Sequence, residues 1–168
     1  MKKILLLLTL LFITSVSAQS FKAGVGTAYA TDISTIGITA NALMEIDKTW
    51  EADGSFTLFF EKDLVSWKVL NANIHYILSN KSDMKWYLLG GLNMTFYSVD
   101  FPEIEIDNPW GDDDFSVGGE SSGSNFGFNL GIGGRKALSE SLELFGQSHY
   151  TISDGSYLTL NVGVLFKF

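Results

Sequence analysis

The sequence has 168 residues, of which 19 are acidic and 11 are basic, giving a formal net charge of −8. Such an acidic chain is poorly suited to nucleic acid or to an anionic surface, so we exclude nucleic-acid binding as its activity. There is no cysteine, which excludes disulfide bonds and thiolate metal sites.

The start of the chain has the pattern of a secretory signal peptide. Two lysines precede an apolar run at 4–13 and small residues at 16–18. The apolar run is shorter than the about 20 residues that a transmembrane helix needs. We therefore expect cleavage of residues 1–18, leaving one domain at 19–168.

The mature chain contains eight segments in which apolar residues alternate with polar or small ones. A period of two is typical of a strand whose two faces meet different surroundings. The segments run over 21–30, 36–46, 50–60, 68–78, 86–99, 125–135, 142–152 and 157–168. Their lengths match the roughly 9–11 tilted residues with which a strand crosses the hydrocarbon layer.

The last segment, YLTLNVGVLFKF, shows the alternation most clearly. Its even positions are all apolar, whereas its odd positions include Thr159, Asn161 and Lys167. This segment resembles the closing strand of bacterial outer-membrane β-barrels, which typically ends in Phe. The resemblance implies that Phe168 is a signal for the barrel-assembly machinery.

Over its whole mature length the sequence resembles the small eight-stranded outer-membrane barrels of the outer-membrane protein X and W types. The resemblance implies an all-β, antiparallel, up-and-down transmembrane barrel in the outer membrane of a Gram-negative bacterium. Both termini would be periplasmic, the apolar faces would meet membrane lipid, and the barrel would be a monomer. The alternation alone also fits a soluble lipocalin-like barrel, whose apolar face would line a central cavity.

Seven charged residues fall on the predicted inward faces, all in the periplasmic half. They are Lys22, Glu45, Glu51, Asp53, Arg135, Glu143 and Lys167. In an eight-stranded barrel the interior is only wide enough for its own side chains, and an unpaired buried charge is costly. We therefore predict an interior ion-pair network which, with the inward Tyr87 and Phe145, closes the lumen.

The stretch 100–124 is predicted to be one long extracellular loop. Between positions 100 and 120 it has eight carboxylates and no basic residue. Clustered oxygens attract hard cations, although a charge run is more often a solvated surface and the spacing matches no EF-hand. The candidate cation ligands are Asp107, Asp112, Asp113 and Asp114. Apolar residues within the stretch indicate partial packing or contact with an extracellular partner.

No catalytic or cofactor-binding motif is present, and we expect no cofactor. His75 and His149 are predicted to face inward near opposite ends of the barrel, each hydrogen-bonded to an interior neighbour. The sequence therefore favours a non-enzymatic integral outer-membrane protein with a structural or surface-interaction role. The alternatives are a narrow porin-like channel for small or hydrophobic solutes and, third, a lipid A-modifying enzyme.

Overall fold

The computed structural model describes residues 20–81, 83–106 and 115–168, which form a closed antiparallel barrel of eight strands in sequence order. The strands are β1 (Phe21–Ala30), β2 (Thr35–Glu45), β3 (Trp50–Phe59), β4 (Val65–Lys81), β5 (Met84–Ile106), β6 (Phe115–Ala137), β7 (Leu142–Ile152) and β8 (Tyr157–Lys167). β1 pairs with both β2 and β8, which closes the wall. Within the described residues there is no helix of the length and hydrophobicity needed to cross a membrane.

The predicted segments agree with the strands at five places and fall short at three. The bounds of β1 and β7 are those expected, those of β3 and β8 differ by one residue at the end of the strand, and β2 is shifted by one residue at both ends. β4 continues to Lys81 because a β-bulge between Ile77 and Ser79 lets the strand pair onward after a register shift. The connection between β4 and β5 is therefore shorter than the stretch 79–85 that the predicted segments leave between them.

The predicted loop at 100–124 is wrong for most of its length. β5 runs on to Ile106 and β6 starts at Phe115, so the two strands form a long hairpin. The glycines and serines of 116–124 have the composition of a loop, but their backbone pairs with β5 across one irregularity between Phe101 and Ile104. Pro102 lies at that irregularity and cannot donate to the ladder.

The hairpin extends past the barrel wall. The neighbouring strands stop pairing with it at Val65, opposite Val99, and at Ile152, opposite Phe128. We call this end of the barrel the hairpin end, and the opposite end, where β1 starts and β8 finishes, the termini end.

The two faces of the wall have the polarity of a membrane barrel. Outward residues such as Val25, Ile38 and Leu130 are 55–59% exposed, whereas the buried interior is largely polar. This placement contradicts the lipocalin-like alternative, in which the apolar face would point inward. The aromatic residues at both strand ends are exposed on the outside: Phe21, Trp50, Tyr76, Trp86, Phe166 and Phe168 at the termini end, and Tyr29, Phe60, Phe96, Phe126, Phe128 and Tyr150 at the other.

Two tyrosines of β5 lie across two glycines of β6 on the inner face. A Cβ atom at Gly133 would overlap the ring of Tyr87, and one at Gly123 would overlap the ring and hydroxyl of Tyr97. The missing side chains therefore let two large rings lie flat against the wall, which fixes where they fill the lumen.

The outward polarity predicts a depth-dependent cost for an introduced charge. Val162, on the outer face at the middle of β8, is 52% exposed, and Val162→Arg should lower the free energy of unfolding by about 2–4 kcal/mol. Phe166→Arg, on the same face near the strand end, should cost about 0–1 kcal/mol. Urea unfolding in lipid vesicles measures both values. Equal costs at the two positions would contradict a lipid-facing wall.

Candidate functional site

Six charged side chains at the termini end of the lumen form a closed ring of alternating sign. In order around the ring they are Lys22, Glu45, Lys85, Glu51, Arg135 and Glu143. Each comes from a different strand, so the ring ties six of the eight strands together. Three cations face three carboxylates, and the ring is therefore neutral as a unit.

Two lysines share one carboxylate oxygen in the first half of the ring. Lys22 Nζ donates to Glu45 Oε1 at 3.0 Å and to Glu143 Oε1 at 2.8 Å. Lys85 Nζ donates to the same Glu45 oxygen at 2.9 Å and to Glu51 at 3.4 Å. Because Lys22 is only 2% exposed, its charge depends on these partners for compensation.

Arg135 completes the second half of the ring. Its guanidinium donates to Glu51, and its Nη1 lies 4.0 Å from Glu143 Oε2. Both Arg135 and Glu51 are almost fully buried. The guanidinium also lies over the Tyr87 ring, 5.1 Å from its centre, which adds a cation–π contact.

Asp53 and His75 lie beside the ring. Asp53 accepts a hydrogen bond from Asn73 at 3.3 Å, and His75 Nε2 is 3.9 Å from the Asp53 carboxylate. His75 stacks on Tyr87 with ring centres 4.3 Å apart. The cavity at this level has a volume of about 10 Å³, so the side chains fill the lumen.

The seven predicted interior charges have three different outcomes. Five take part in the ring, Asp53 lies next to it, and Lys167 is exposed at the rim with no ion pair among the described residues. The sequence prediction omits Lys85, because the predicted strand begins at position 86 and leaves Lys85 outside it. Its parity with Tyr87 and Leu89, both buried, is the signal that places it inward.

A layer of amides and hydroxyls fills the middle of the lumen. Asn129 Nδ2 donates to Asn71 at 2.9 Å and to Asn73 at 3.0 Å, while its own oxygen accepts from Thr151 at 2.8 Å. Asn93 Nδ2 donates to the same Asn71 oxygen at 2.8 Å. These buried groups satisfy one another across the lumen, which rigidifies this layer.

An apolar plug fills the lumen towards the hairpin end. Its buried aromatic residues are Phe59, Trp67 and Tyr157, and the Trp67 and Tyr157 ring centres are 5.0 Å apart. Ala28 and Ala30 of β1 are fully buried against them. Asn93 donates to the Tyr157 hydroxyl at 3.2 Å, which joins the plug to the amide layer.

A cavity of about 200 Å³ lies outside this plug, at the mouth of the barrel. Its walls include Asp32, Tyr97, Asn125 and Ser153, and Trp67 contributes an aromatic surface. This mouth cavity combines aromatic and polar groups in the way that ligand pockets do.

The prediction that the two histidines lie near opposite ends is wrong. Thr151 and Asn73 belong to the same amide layer, and each lies two residues from a histidine, His149 and His75 respectively. Both rings therefore sit one step nearer the termini end. Neither nitrogen of His75, nor Nδ1 of His149, has a hydrogen-bond partner among the described residues, so the expected partners are also absent there.

The remaining predicted site residues lie elsewhere. Asp107, Asp112, Asp113 and Asp114 fall outside the described residues, and the part of the chain that is described contains no cluster suited to a metal ion. Phe168 is 81% exposed at the termini end, with its ring centre 6.3 Å from that of Phe21. Its role as an assembly signal stays a prediction.

Breaking the ring at its most buried pair should destabilise the barrel. Arg135→Ala leaves Glu51 without its guanidinium partner, and we expect a loss of about 3–5 kcal/mol in the free energy of unfolding. Lys167→Ala is the matched control and should change it by less than about 0.5 kcal/mol. The double variant Arg135→Met with Glu51→Gln should recover part of the loss, since no unpaired charge remains. Urea unfolding in vesicles measures all three, and equal losses for Arg135→Ala and Lys167→Ala would contradict the pairing.

No protein-family model matches the chain, and no curated protein matches it. Several solved structures do match the fold of this chain. The N-terminal β-barrel domain of Pseudomonas aeruginosa OprF aligns with a TM-score of 0.62 at 14% identity, covering 89% of this chain and 97% of that one. A major outer membrane protein from Thermus thermophilus gives 0.68 at 12% identity, covering 90% and 100%. The Yersinia pestis attachment invasion locus protein Ail gives 0.58 at 16% identity, covering 89% and 97%.

At these identities the likeness establishes the fold alone. The order of the strands, the closed antiparallel wall and the apolar outer face agree with it. The chain has the fold of the small eight-stranded outer-membrane β-barrels.

Proposed function

We propose that the protein is a non-enzymatic integral outer-membrane barrel that anchors an extracellular hairpin for interaction at the cell surface. The observation that carries this proposal is the filled lumen. Charge ring, amide layer and apolar plug follow one another along the barrel axis, and each is built from side chains of less than about one-tenth exposure or from their direct partners. A barrel filled in this way holds its shape without conducting solutes.

The outer surface supports a place in a membrane. Exposed apolar residues cover all strands, and exposed aromatic residues collect at both ends of the barrel. Such a band with two aromatic girdles is the pattern of transmembrane barrels. The long connection should lie outside the cell and the short turns in the periplasm, which puts the hairpin end at the surface.

The hairpin offers an unpaired backbone edge. β6 pairs with β5 from Phe115 onward but meets β7 only at Phe128, so residues 115–127 have no strand partner on one side among the described residues. A free edge is a template for an added strand. We propose that an extended segment of an extracellular partner pairs there.

The charge of the hairpin limits the kind of partner. The sequence from 100 to 120 carries eight carboxylates and no basic residue, which disfavours a polyanion and favours a basic segment. Ail, a neighbour in fold, has been solved with the heparin analogue sucrose octasulfate. For the present chain the opposite charge preference is expected.

The two alternatives have less support. A channel requires a water-filled path, and the ring and the plug obstruct it at two levels. An enzyme acting on lipid A would need a nucleophile beside His149. In the β7–β8 loop, however, the Ser156 hydroxyl accepts from the Ser153 N–H and donates to the Ser153 carbonyl oxygen, and the Ser153 hydroxyl donates to the Gly155 carbonyl oxygen. We further propose that the barrel is a monomer in outer-membrane lipid, that Phe168 directs its assembly, and that it needs no cofactor.

The closed lumen predicts that the unmodified protein gives no steady single-channel conductance in planar lipid bilayers. A variant with Phe59, Trp67 and Tyr87 all replaced by Ala removes bulk at the plug and beside the ring, and should conduct measurably more if it folds. Gel mobility before and after boiling verifies folding of both proteins. Steady conductance from the unmodified protein would refute the closed lumen and favour the channel.

The orientation can be tested with single cysteines, because the chain has none of its own. Asp154 lies in the exposed β7–β8 loop at the hairpin end, and Lys48 lies in the exposed β2–β3 turn at the other end. A membrane-impermeant maleimide added to intact cells should label Asp154→Cys and leave Lys48→Cys unlabelled until the cells are opened. The reverse result would mean that the barrel is inverted.

A further inference from the structure

A polar patch interrupts the outward apolar face close to the hairpin end. Residues on β4, β5 and β6 form rows across the wall, and one row consists of Ser66, Ser98 and Ser122 in register. The adjoining row towards the middle of the barrel consists of Lys68, Phe96 and Ser124. We call these six residues the serine–lysine patch. The next row, Leu70, Met94 and Phe126, is wholly apolar and exposed.

The patch lies where the hydrocarbon band ends. Phe96 and Phe126 are exposed members of the aromatic girdle at this end. Aromatic girdles mark the level of lipid head groups, so the side chains of the patch meet head groups and not acyl chains.

Lys68 is the cation of this surface. Of the basic residues in the described part of the chain, only Lys62 and Lys68 lie towards the hairpin end. Lys62 donates to the Ser34 carbonyl oxygen at 3.0 Å, whereas Lys68 has no carboxylate within 4.0 Å among the described residues. In so acidic a protein, an outward lysine without a protein partner at head-group level indicates an anion supplied by the membrane.

The surface around Lys68 is concave. A groove of about 250 Å³ is lined by Lys68, by the three serines of the serine row and by Phe96. Serine hydroxyls donate and accept hydrogen bonds, as the hydroxyls of a sugar do. An ammonium group pairs with a phosphate by a charge-assisted hydrogen bond.

We propose that the serine–lysine patch binds the phosphorylated sugar head group of an outer-leaflet glycolipid, with the phosphate on Lys68 and the sugar against the serine row and Phe96. This site rests on the proposed outer-membrane location of the hairpin end. A glycolipid bound at this site, at the base of the hairpin, fixes the height and rotation of the barrel in the outer leaflet. Asp100 lies opposite Glu120 in the β5–β6 ladder, two residues beyond the serine row. Its negative charge repels the phosphate and so keeps it from moving outward.

Lys136 provides a matched comparison within the chain. It is exposed on the outward face near the other end of the barrel, and its groove is lined by Met84, Trp86 and Leu144. The charge is the same, but among the described residues no serine lines this groove. A glycolipid head group should therefore bind at Lys68 and not at Lys136.

The test measures lipid retention by native mass spectrometry on the full chain refolded in detergent. The probes are bisphosphorylated lipid A, chemically dephosphorylated lipid A, and phosphatidylglycerol, which has a phosphate and no sugar. Lipid A should bind the unmodified protein, Lys68→Gln should weaken its binding about tenfold, and Lys136→Gln should leave it within about twofold. Dephosphorylated lipid A and phosphatidylglycerol should each bind more weakly than lipid A. Gel mobility before boiling verifies that each variant is folded.

Several outcomes would overturn the site. Equal binding by the unmodified protein and Lys68→Gln would remove the lysine from it, and equal weakening by Lys136→Gln would reduce the effect to general surface charge. Equal binding of phosphatidylglycerol would mean that the phosphate alone is recognised. These results are separable from the proposed function, because maleimide labelling reports the orientation and planar bilayers report the closed lumen independently of any lipid.

Discussion

The structure depends on the narrowness of an eight-stranded barrel whose inner face is polar. Every inward side chain meets others across the lumen, so each buried charge or amide must find its partner there. In the ring from Lys22 to Glu143, each charged group has neighbours of opposite sign, because the signs alternate through six strands. Because each member has partners on both sides, loss of one member leaves an uncompensated charge and not merely a missing contact.

The charge ring, the amide layer and the apolar plug follow one another in an order set by where each residue type can find solvation or hydrogen-bond partners. Charges lie at the termini end, where Glu45 and Lys85 remain partly exposed and water can still contribute to their solvation. The amides occupy the middle, because neutral groups such as Asn71 and Asn129 can complete their hydrogen bonds without water. The aromatic plug around Trp67 needs almost no polar partner. It lies below the mouth cavity, which it separates from the amide layer.

The sequence predicts the strands of the barrel wall better than the arrangement of the side chains in the lumen. A period of two assigns every strand and its inward face, because one face must be apolar along the whole membrane crossing. The height of an inward side chain along the barrel axis, and its partner across the lumen, depend on strand tilt and stagger. The alternation of apolar and polar residues gives no information on either. For that reason the sequence misplaces His75 and His149 at opposite ends. It also misses Lys85 at a strand end, where alternation is weakest, and the hairpin, because Gly and Ser between 116 and 124 carry no alternation at all.

The proposed closed lumen and the proposed lipid site at the serine–lysine patch are connected through the hairpin. If the lumen is closed as proposed, the barrel acts through its surfaces, and among the described residues the hairpin presents an edge without a strand partner at 115–127. β5 and β6 also carry Ser98 and Ser122 of the serine–lysine patch, directly below the point where the hairpin leaves the wall. A head group held at Lys68 would therefore fix the base of the same two strands whose far end would meet the proposed partner. Anchoring in the lipid and presentation at the surface would then depend on one pair of strands.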